Sequence, residues 1–336
     1  MSTISDVAKA AGVSVATVSR ALRGLDKVNP ETRARVRRVA AELEYVASPT
    51  ASSLASGRTG VVGVVAPFLT RWFFATLVSG IEKSLRDHGH HVLLFDLEDE
   101  SFDRRMRLTQ SMLWKRVDGI IVLNIPMDAE EQTLIERLRL PVVTVGNRLG
   151  AWPSVRIDDR AAMALATQHI IDLGHREIAY VGVVPATSAH LQTPLDRRAA
   201  FQETLSRAGL SCPPQWVVDS DWTAPGAARD IVPILSGTHR PTVVVAASDE
   251  MAIGVMCAAR RIGLRVPEDL SVVGIDDHAL SGVLDLSTVR QDVDLQGRQA
   301  GEILIQLLQG RGAAPAETVL PIKLVARGST RPPSGA

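Results

Sequence analysis

The sequence predicts a small all-α unit at the amino end, followed by an α/β body of two lobes with parallel sheets. Residues 3–22 carry apolar side chains at helical spacing on both sides of a glycine. From Val61 onward, almost wholly apolar strand-like runs alternate with amphipathic helical patterns. The chain has 336 residues, of which 46% are hydrophobic, so it can bury the cores of two or three domains.

The first stretch predicts two short helices joined by a tight turn. Gly12 interrupts the helical spacing, and Ser14 is placed to cap the second helix by accepting an N–H of its first turn. The second helix then presents four residues outward, namely Val15, Ala16, Ser19 and Arg20. This pattern is typical of a helix-turn-helix, whose second helix enters the major groove of DNA. An ordinary αα-hairpin in a globular core is the alternative interpretation.

A third helix and the distribution of charge support the first interpretation. Asn29 followed by Pro30 is a favoured helix start, and the apolar spacing continues to about Glu44. Residues 1–60 hold nine basic and five acidic side chains, a net charge of +4. The whole chain is formally neutral, which leaves −4 for residues 61–336. A basic module on an acidic body is the charge distribution expected of a protein that binds nucleic acid.

Residues 46–60 are small, polar and punctuated by Gly and Pro, which is typical of a linker. If Thr50 to Ser56 turned helical, Leu54 would share one face with two alanines, but so short a helix is marginal alone. Two interpretations therefore stay open. The segment is a flexible linker, or it folds on DNA with Leu54 as an apolar wedge in the minor groove.

The body is predicted to contain seven main strands and eight helices. The strand-like runs are 61–68, 91–97, 119–124, 141–146, 177–182, 243–248 and 270–277. The helical patterns are 72–87, 102–115, 129–138, 159–173, 194–208, 225–235, 250–262 and 294–309. In parallel sheets of this kind, ligands bind beyond the carboxyl ends of the strands. Polar residues at those ends are therefore the candidate binding residues.

Several classes of function lack their sequence signal. The two cysteines, Cys212 and Cys257, have no metal-ligand spacing, and no P-loop, strand-following GxGxxG or GxSxG motif occurs. We therefore expect no catalytic residue, no cofactor and no metal site. His88, His90 and His91 cluster by a glycine turn at the start of a strand and are expected at the surface. Without a long apolar run or a signal segment, we expect a cytoplasmic protein with no membrane partner.

Eight motifs together resemble the lac repressor (LacI/GalR) family of bacterial transcription regulators, over essentially the whole chain. They are DVAKAAGVSVATVSRAL, NPETRARV, ELEYVASPTASSLASGRT, RVDGIIV, GHREIAYVG, ASDEMAIG, SVVGIDD and TVRQD. The resemblance implies a helix-turn-helix DNA-binding domain at 1–46, a hinge helix or linker at 47–60, and a periplasmic-binding-protein-like body at 61–330. The body would bind the effector and form the dimer, with an N-lobe of 61–158 plus 291–317 and a C-lobe of 159–290 plus 318–330.

The resemblance also implies a partner and an oligomeric state. Such proteins bind a near-palindromic double-stranded operator as homodimers, and a small sugar-like effector changes their affinity for DNA. The carboxyl end, RPPSGA, carries no apolar heptads, so a dimer is expected rather than a tetramer held by a coiled coil.

The resemblance places nine residues at the DNA. They are Thr3, Ile4, Val15, Ala16, Ser19, Arg20, Asn29, Thr32 and Leu54. Arg20 matches the position that reads a guanine, because its guanidinium fork fits O6 and N7. Val15 and Ala16 occupy the specificity positions, where apolar side chains can touch thymine methyl groups but donate no hydrogen bond. The polar members of the set match phosphate contacts, which position the protein without specifying sequence.

The resemblance places eight residues in the effector pocket. They are Trp72, Phe73, Asp158, Arg197, Trp222, Ser248, Asp276 and Gln291. Arg197 matches an arginine that binds a ligand hydroxyl or carboxylate, and Trp222 matches an aromatic that stacks on the ligand. As a bare sequence feature, the pair at 72–73 is typical of an apolar helix face in the core.

Ordinary structural roles stay open at other pocket positions. Arg197 would otherwise be a solvated residue paired with Asp196, and Trp222 would belong to the lobe core. Ser248 would cap the helix that follows it, and Asp276 would cap a turn.

Three classes of protein compete for this sequence. A ligand-responsive regulator accounts for the basic helix-turn-helix and for the two-lobed body together. A sugar-binding receptor would use the same body, but it needs an export signal and has no use for the basic head. An α/β enzyme lacks its motifs, so we expect no turnover.

Overall fold

The computed structural model describes residues 2–22, 28–45, 57–97, 106–183, 192–311 and 315–333. The chain divides into two compact units, Met1–Gly60 and Val61–Ala336.

Within its described residues, the amino-terminal unit contains helices α1 (Ile4–Ala11), α2 (Val15–Leu22) and α3 (Pro30–Glu42). Val7, Val18 and Val36, one from each helix, are fully buried and form the centre of a small core. Gly12 ends α1 with φ at 64°, a left-handed conformation that glycine adopts without steric cost. The two-helix prediction for residues 3–22 is therefore confirmed.

The predicted caps are present. The Ser14 hydroxyl accepts the Thr17 N–H at 3.1 Å, and the Asn29 side chain accepts the Glu31 N–H at 2.9 Å ahead of Pro30. Each cap satisfies a backbone donor that has no partner inside its helix. The sequence pattern thus fixes where α2 and α3 begin.

The first lobe of the body is built on a six-stranded parallel sheet with strand order β11-β5-β4-β3-β1-β2. The strands are β1 (Val61–Ala66), β2 (His91–Asp96), β3 (Gly119–Leu123), β4 (Val142–Val145), β5 (Ser154–Arg156) and β11 (Glu317–Val319). Its helices are α4 (Trp72–Asp87), α5 (Gln110–Leu113), α6 (Ala129–Leu138) and α11 (Val293–Leu308). The middle strands are buried along their whole length, as their nearly all-apolar sequences predict.

The second lobe repeats this arrangement with strand order β12-β10-β9-β8-β6-β7, in which β12 is antiparallel to β10. The strands are β6 (Ile178–Gly182), β7 (Val217–Asp219), β8 (Val243–Ala246), β9 (Ser271–Asp276), β10 (Ser287–Gln291) and β12 (Ile322–Val325). Its helices are α7 (Asp159–Asp172), α8 (Gln192–Arg207), α9 (Ala224–Leu235) and α10 (Asp249–Arg261).

The chain passes between the lobes at three places, after β5, after β10 and between β11 and β12. The first two lie close to the boundaries expected from the sequence. At the third, β11 continues in the first sheet to Val319, two residues beyond the expected boundary at 317. Gln291, which the sequence assigned to the N-lobe, ends a strand of the second sheet.

One predicted helix is wrong over its described part, and five strands were missed. In the range 102–115, the described residues form only the single turn of α5, and residues before 106 lie outside the described part of the chain. The missed strands are β5, β7, β10, β11 and β12. Each has three to five residues, too short for a periodic pattern to stand out.

Candidate functional site

The outer face of α2 presents the residues that the sequence singled out for DNA. Val15 is 43% exposed although it is apolar, and Ala16 and Arg20 are exposed beside it. Ser19 is half-buried at the edge of the same face. Because the opposite face packs against α1 and α3, these side chains stay available for a partner.

The remaining DNA candidates with described positions differ in their exposure. Thr3 is exposed and caps α1, where its hydroxyl accepts the Asp6 N–H and donates to the Asp6 carboxylate at 2.8 Å. Asn29 is exposed, while Ile4 and Thr32 are half-buried. Leu54 lies outside the described residues.

In the body, the predicted pocket residue Arg197 is the centre of a buried polar cluster. Its guanidinium is 4% exposed, and its Nε donates to Asp159 Oδ1 at 2.7 Å. Nη1 donates to the Ala247 carbonyl and lies 3.9 Å from Asp276 Oδ1. The alternative of a solvated Arg197 paired with Asp196 is therefore wrong, since Asp196 instead faces Arg160 at 3.8 Å.

Asp276 ends β9 and points into the same cluster. It is 6% exposed and adopts φ of 133°, a conformation that L-residues rarely take. Burial raises the pKa of Asp276 to about 8, although the charge of Arg197 and a hydrogen bond from Gln291 oppose that rise. A strained, buried carboxyl at the carboxyl end of a strand is typical of a functional position.

Gln291 connects Asp276 to the other lobe. Its amide nitrogen donates to Asp276 Oδ1 at 2.6 Å, and its amide oxygen accepts from Gln296 at 2.8 Å. Gln296 lies in α11, which packs on the first lobe, and it is 1% exposed. The two glutamines thus form a buried hydrogen-bonded chain from the second lobe to the first.

Of the two acids at the start of α7, the predicted pocket residue Asp158 does not face the Arg197 cluster. Asp158 is exposed and caps α7 by accepting the Ala161 N–H at 2.9 Å. The next residue, Asp159, is the acid that turns inward, where it is 8% exposed and accepts from Thr193 as well as Arg197. The two acids differ because Asp159, the first residue of α7, faces the lobe, whereas Asp158, the N-cap, faces solvent.

Ser248 has the capping role that the sequence left open beside ligand contact. Its hydroxyl accepts the Met251 N–H at 3.3 Å at the start of α10. Asp249 follows it, is fully buried, and accepts hydrogen bonds from the hydroxyls of Ser281 and Thr288. These bonds tie the segment after β9 to α10, and they satisfy the Asp249 carboxyl from two sides.

Two tryptophans line the region between the lobes. Trp222 is half-buried before α9, with its ring centroid 6.0 Å from the Arg197 guanidinium carbon. Trp72, the first residue of α4, donates its backbone N–H to Glu250 at 3.1 Å and packs on the His278 ring at 4.6 Å. Both partners of Trp72 belong to the second lobe, so this residue bridges the cleft. Phe73 packs edge-on against Phe74 in the first lobe's core, as its alternative interpretation expects.

Sequence reasoning missed several polar residues at the cleft. Asn124 and Asn147 follow β3 and β4, and the side-chain oxygen of each is buried with no hydrogen-bond partner among the residues that the structure describes. Asp159 and Gln296 carry the buried contacts described above. The asparagines could have been found from their position at carboxyl ends of parallel strands, which is the signal that identified Asp276.

Among the ranges described here, no group of three or more His, Cys, Asp or Glu residues could hold a metal ion. A search of the same ranges finds no helix with both the length and the apolar character needed to span a bilayer.

Family models match two parts of the chain. Residues 3–48 match the model for bacterial regulatory proteins of the lacI family, and residues 167–330 match a periplasmic binding protein-like domain. The HTH-type transcriptional repressor CytR of Escherichia coli (strain K12) is 31% identical over 98% of this chain and 96% of its own length. The chain belongs to the lacI family. Catabolite control protein A of Priestia megaterium is 32% identical over 98% of this chain and 99% of its own length.

Solved structures extend the likeness to the whole fold of this lacI-family protein. One is a lac repressor dimer bound to operator and the anti-inducer ONPF, with 28% identity, a TM-score of 0.85, and coverage of 98% of this chain and 99% of the other. Another is a complex of the transcriptional regulator CelR with cellobiose, with 28% identity, a TM-score of 0.71, and coverage of 98% and 100%. The predicted fold class, a helix-turn-helix ahead of two parallel-sheet lobes, is thus confirmed.

Proposed function

We propose that this lacI-family protein is a repressor that binds a palindromic duplex operator as a homodimer and recognises its sequence through α2. A small ligand bound between the lobes changes the affinity of the protein for DNA. The observation that carries the proposal is the exposed outer face of α2, with Arg20 at its end, on a basic three-helix unit. The relatives named as repressors, and the lac repressor dimer bound to operator, support it.

The side chains of α2 determine which groups of the DNA bases the protein can recognise. Arg20 offers two parallel N–H donors, which fit O6 and N7 of one guanine and contribute about 1–3 kcal/mol of discrimination. Val15 and Ala16 offer only apolar contact, which suits thymine methyl groups. Thr3, Ser19, Asn29 and Thr32 would position the unit on phosphates, and Ile4 would touch a base. For Leu54 we propose the minor-groove contact that the family resemblance implies.

The chemistry of the cleft favours an uncharged, polyhydroxylated ligand such as a sugar. Arg197 and Asp276 offer donors and acceptors that match hydroxyl groups, and Trp222 offers an aromatic face for a sugar ring. The positive charge of Arg197 is already balanced by Asp159 at 2.7 Å, so it does not call for an anionic ligand. The complex of CelR with cellobiose supports this ligand class.

The remaining predicted pocket residues would have supporting roles in this cleft. Gln291 would hold Asp276 in place, and Trp72 would close the first-lobe side. For Ser248 we propose that capping and ligand contact are compatible, because its hydroxyl is still able to donate.

The DNA part of the proposal is tested with an operator selected by the protein from a pool of random duplexes. Arg20→Ala should lower the ratio of operator to random-DNA affinity about tenfold or more at fixed salt, since a guanine contact is worth 1–3 kcal/mol. Arg23→Ala, just beyond α2, removes the same charge and serves as the control. An unchanged ratio in Arg20→Ala would remove this residue from sequence reading.

The ligand part is tested by thermal shift of the full chain against sugars and nucleosides, since a ligand that binds only the folded state raises the unfolding temperature. A compound that stabilises the wild type should stabilise Trp222→Ala and Asp276→Ala less, while operator affinity without ligand stays unchanged. Equal stabilisation of both variants would place the ligand elsewhere.

A regulatory role also distinguishes this protein from a sugar-binding receptor and from an α/β enzyme. We propose that it acts in the cytoplasm, where the chromosome lies, and that it releases its ligand unchanged. Catalytic conversion of a bound sugar by the purified protein would contradict this.

A further inference from the structure

One edge of the first lobe carries a cluster of exposed cations. Because all its strands are parallel, the starts of β1, β3 and β4 lie at the same edge of the sheet, on adjacent strands. Lys115 and Arg116 lie four and three residues before β3. Arg137, in the last turn of α6, and Arg139 lie five and three residues before β4. All four are exposed, and together they are called the basic edge below.

Contacts within the lobe bring these cations together. Arg137 donates to the Gln110 side chain at 3.1 Å, which joins the end of α6 to the helix that leads into Lys115. Among the described residues, Lys115, Arg116 and Arg139 have no ion pair with a carboxylate. Lys115 instead lies 5.7 Å from the ring of Trp114, an aromatic residue that is 53% exposed.

The local charge is opposite to that of the body as a whole. Residues 61–336 carry a net charge of −4, whereas the basic edge holds four cations against Asp118 and Glu136 nearby. Other surface cations of the body are paired with carboxylates, as Arg160 is with Glu203 at 2.6 Å. Exposed cations that lack a carboxylate partner among the described residues, beside an exposed aromatic, are typical of a surface for a polyanion.

The path of the chain identifies the polyanion. Val61, where β1 begins, lies at this same edge, and its carbonyl accepts the Asp118 N–H at 2.8 Å. Gly60 ends the amino-terminal unit, so the chain that leaves this unit enters the body at the basic edge. Any duplex held by that unit is kept at high local concentration beside these cations.

We infer that the basic edge of the first lobe is a second DNA-contacting surface, which binds phosphates of the duplex held by the helix-turn-helix unit. This inference rests on the proposed DNA-binding function. Its cations would contribute affinity and not sequence specificity, because phosphates are the same at every base pair. Each phosphate contact releases counterions, so the surface should be visible as salt dependence.

The test uses the full chain and a fluorescein-labelled 30-base-pair duplex of random sequence, which needs no knowledge of the operator. The basic-edge variant combines Lys115→Gln, Arg116→Gln and Arg139→Gln. The matched control combines Arg260→Gln, Arg261→Gln and Lys323→Gln, which removes the same charge from exposed positions of the second lobe. Anisotropy titrations between 50 and 200 mM KCl give the slope of log affinity against log salt.

The basic-edge variant should bind the duplex about tenfold more weakly than the wild type at 100 mM KCl. Its slope of log affinity against log salt should be shallower by about 2 to 3, because each lost phosphate contact removes about 0.9 from the slope. The control should keep the slope of the wild type. Equal slopes in all three proteins would overturn the inference while leaving the proposed function intact, and would point to an acidic protein as the partner of this edge. Failure of the wild type itself to bind the duplex would overturn the proposed function and the inference together.

Discussion

Removing Arg197 should destabilise the body strongly, because the buried carboxylate of Asp159 depends on it. Asp159 and Asp276 are 8% and 6% exposed, and both lie within 4 Å of the guanidinium. Arg197→Met keeps most of the side-chain volume but leaves Asp159 without its cation. Breaking a buried ion pair from one side costs about 3–5 kcal/mol.

This cost can be measured by thermal unfolding of the full chain at pH 7. At about 2–4 °C per kcal/mol for a unit of this size, Arg197→Met should lower the unfolding temperature of the body by about 10 °C. Arg198→Met is the matched control, since Arg198 is half-buried on the same helix, and it should change stability by about 0.5 kcal/mol or less.

A second substitution separates loss of charge pairing from loss of packing. Adding Asp159→Asn to Arg197→Met removes the charge that was left unpaired, so the double variant should recover part of the lost stability. If Arg197→Met unfolded at the temperature of the wild type, the cluster would not be the buried electrostatic unit described here.

Two further predictions concern pH and close packing. Burial raises the pKa of Asp276 to about 8, so the folded chain holds this proton more tightly than the unfolded chain. The free energy of unfolding should therefore fall as the pH rises from about 4 to 8. In unfolding curves taken from about pH 6 to 9, Asp276→Asn should flatten that decline. An equally steep decline in the variant would contradict the raised pKa of Asp276. At Gly254, in α10, a Cβ would collide with the backbone carbonyl of Ala224. Gly254→Ala should lower the free energy of unfolding in urea by about 1–3 kcal/mol. The control Gly237→Ala should behave as the wild type, because a Cβ added there would have its nearest neighbour 3.4 Å away. Equal effects of the two substitutions would show that α9 and α10 are not packed backbone to backbone.

Local chemistry explains which elements could be predicted from the sequence. Ser14 and Asn29 mark helix starts because a capping oxygen must stand at a fixed offset from the first helical N–H groups. The long buried strands were evident because a sheet covered on both faces admits only apolar side chains. Strands such as β5 and β11, with three residues each, are formed by their neighbours in the sheet, which the local sequence does not encode.

The binding cluster was only partly predictable, because its contacts are long-range. Arg197 lies next to Asp196 in sequence, yet its partner is Asp159, 38 positions away. Which of the acids at 158 and 159 faces inward depends on the residue at which α7 begins, and a sequence pattern fixes that only to within a residue or two. The hydrogen bond between Gln291 and Gln296 depends on how the two lobes meet, which is a property of the tertiary fold.

The central claim is that occupancy of the cleft controls the DNA affinity of α2. The most direct measurement is the dissociation constant for the selected operator with and without saturating amounts of the compound that most raises the unfolding temperature. We expect a change of fivefold or more in the wild type, and little change in Asp276→Ala. A compound that binds the wild-type cleft but leaves operator affinity unchanged would contradict the account.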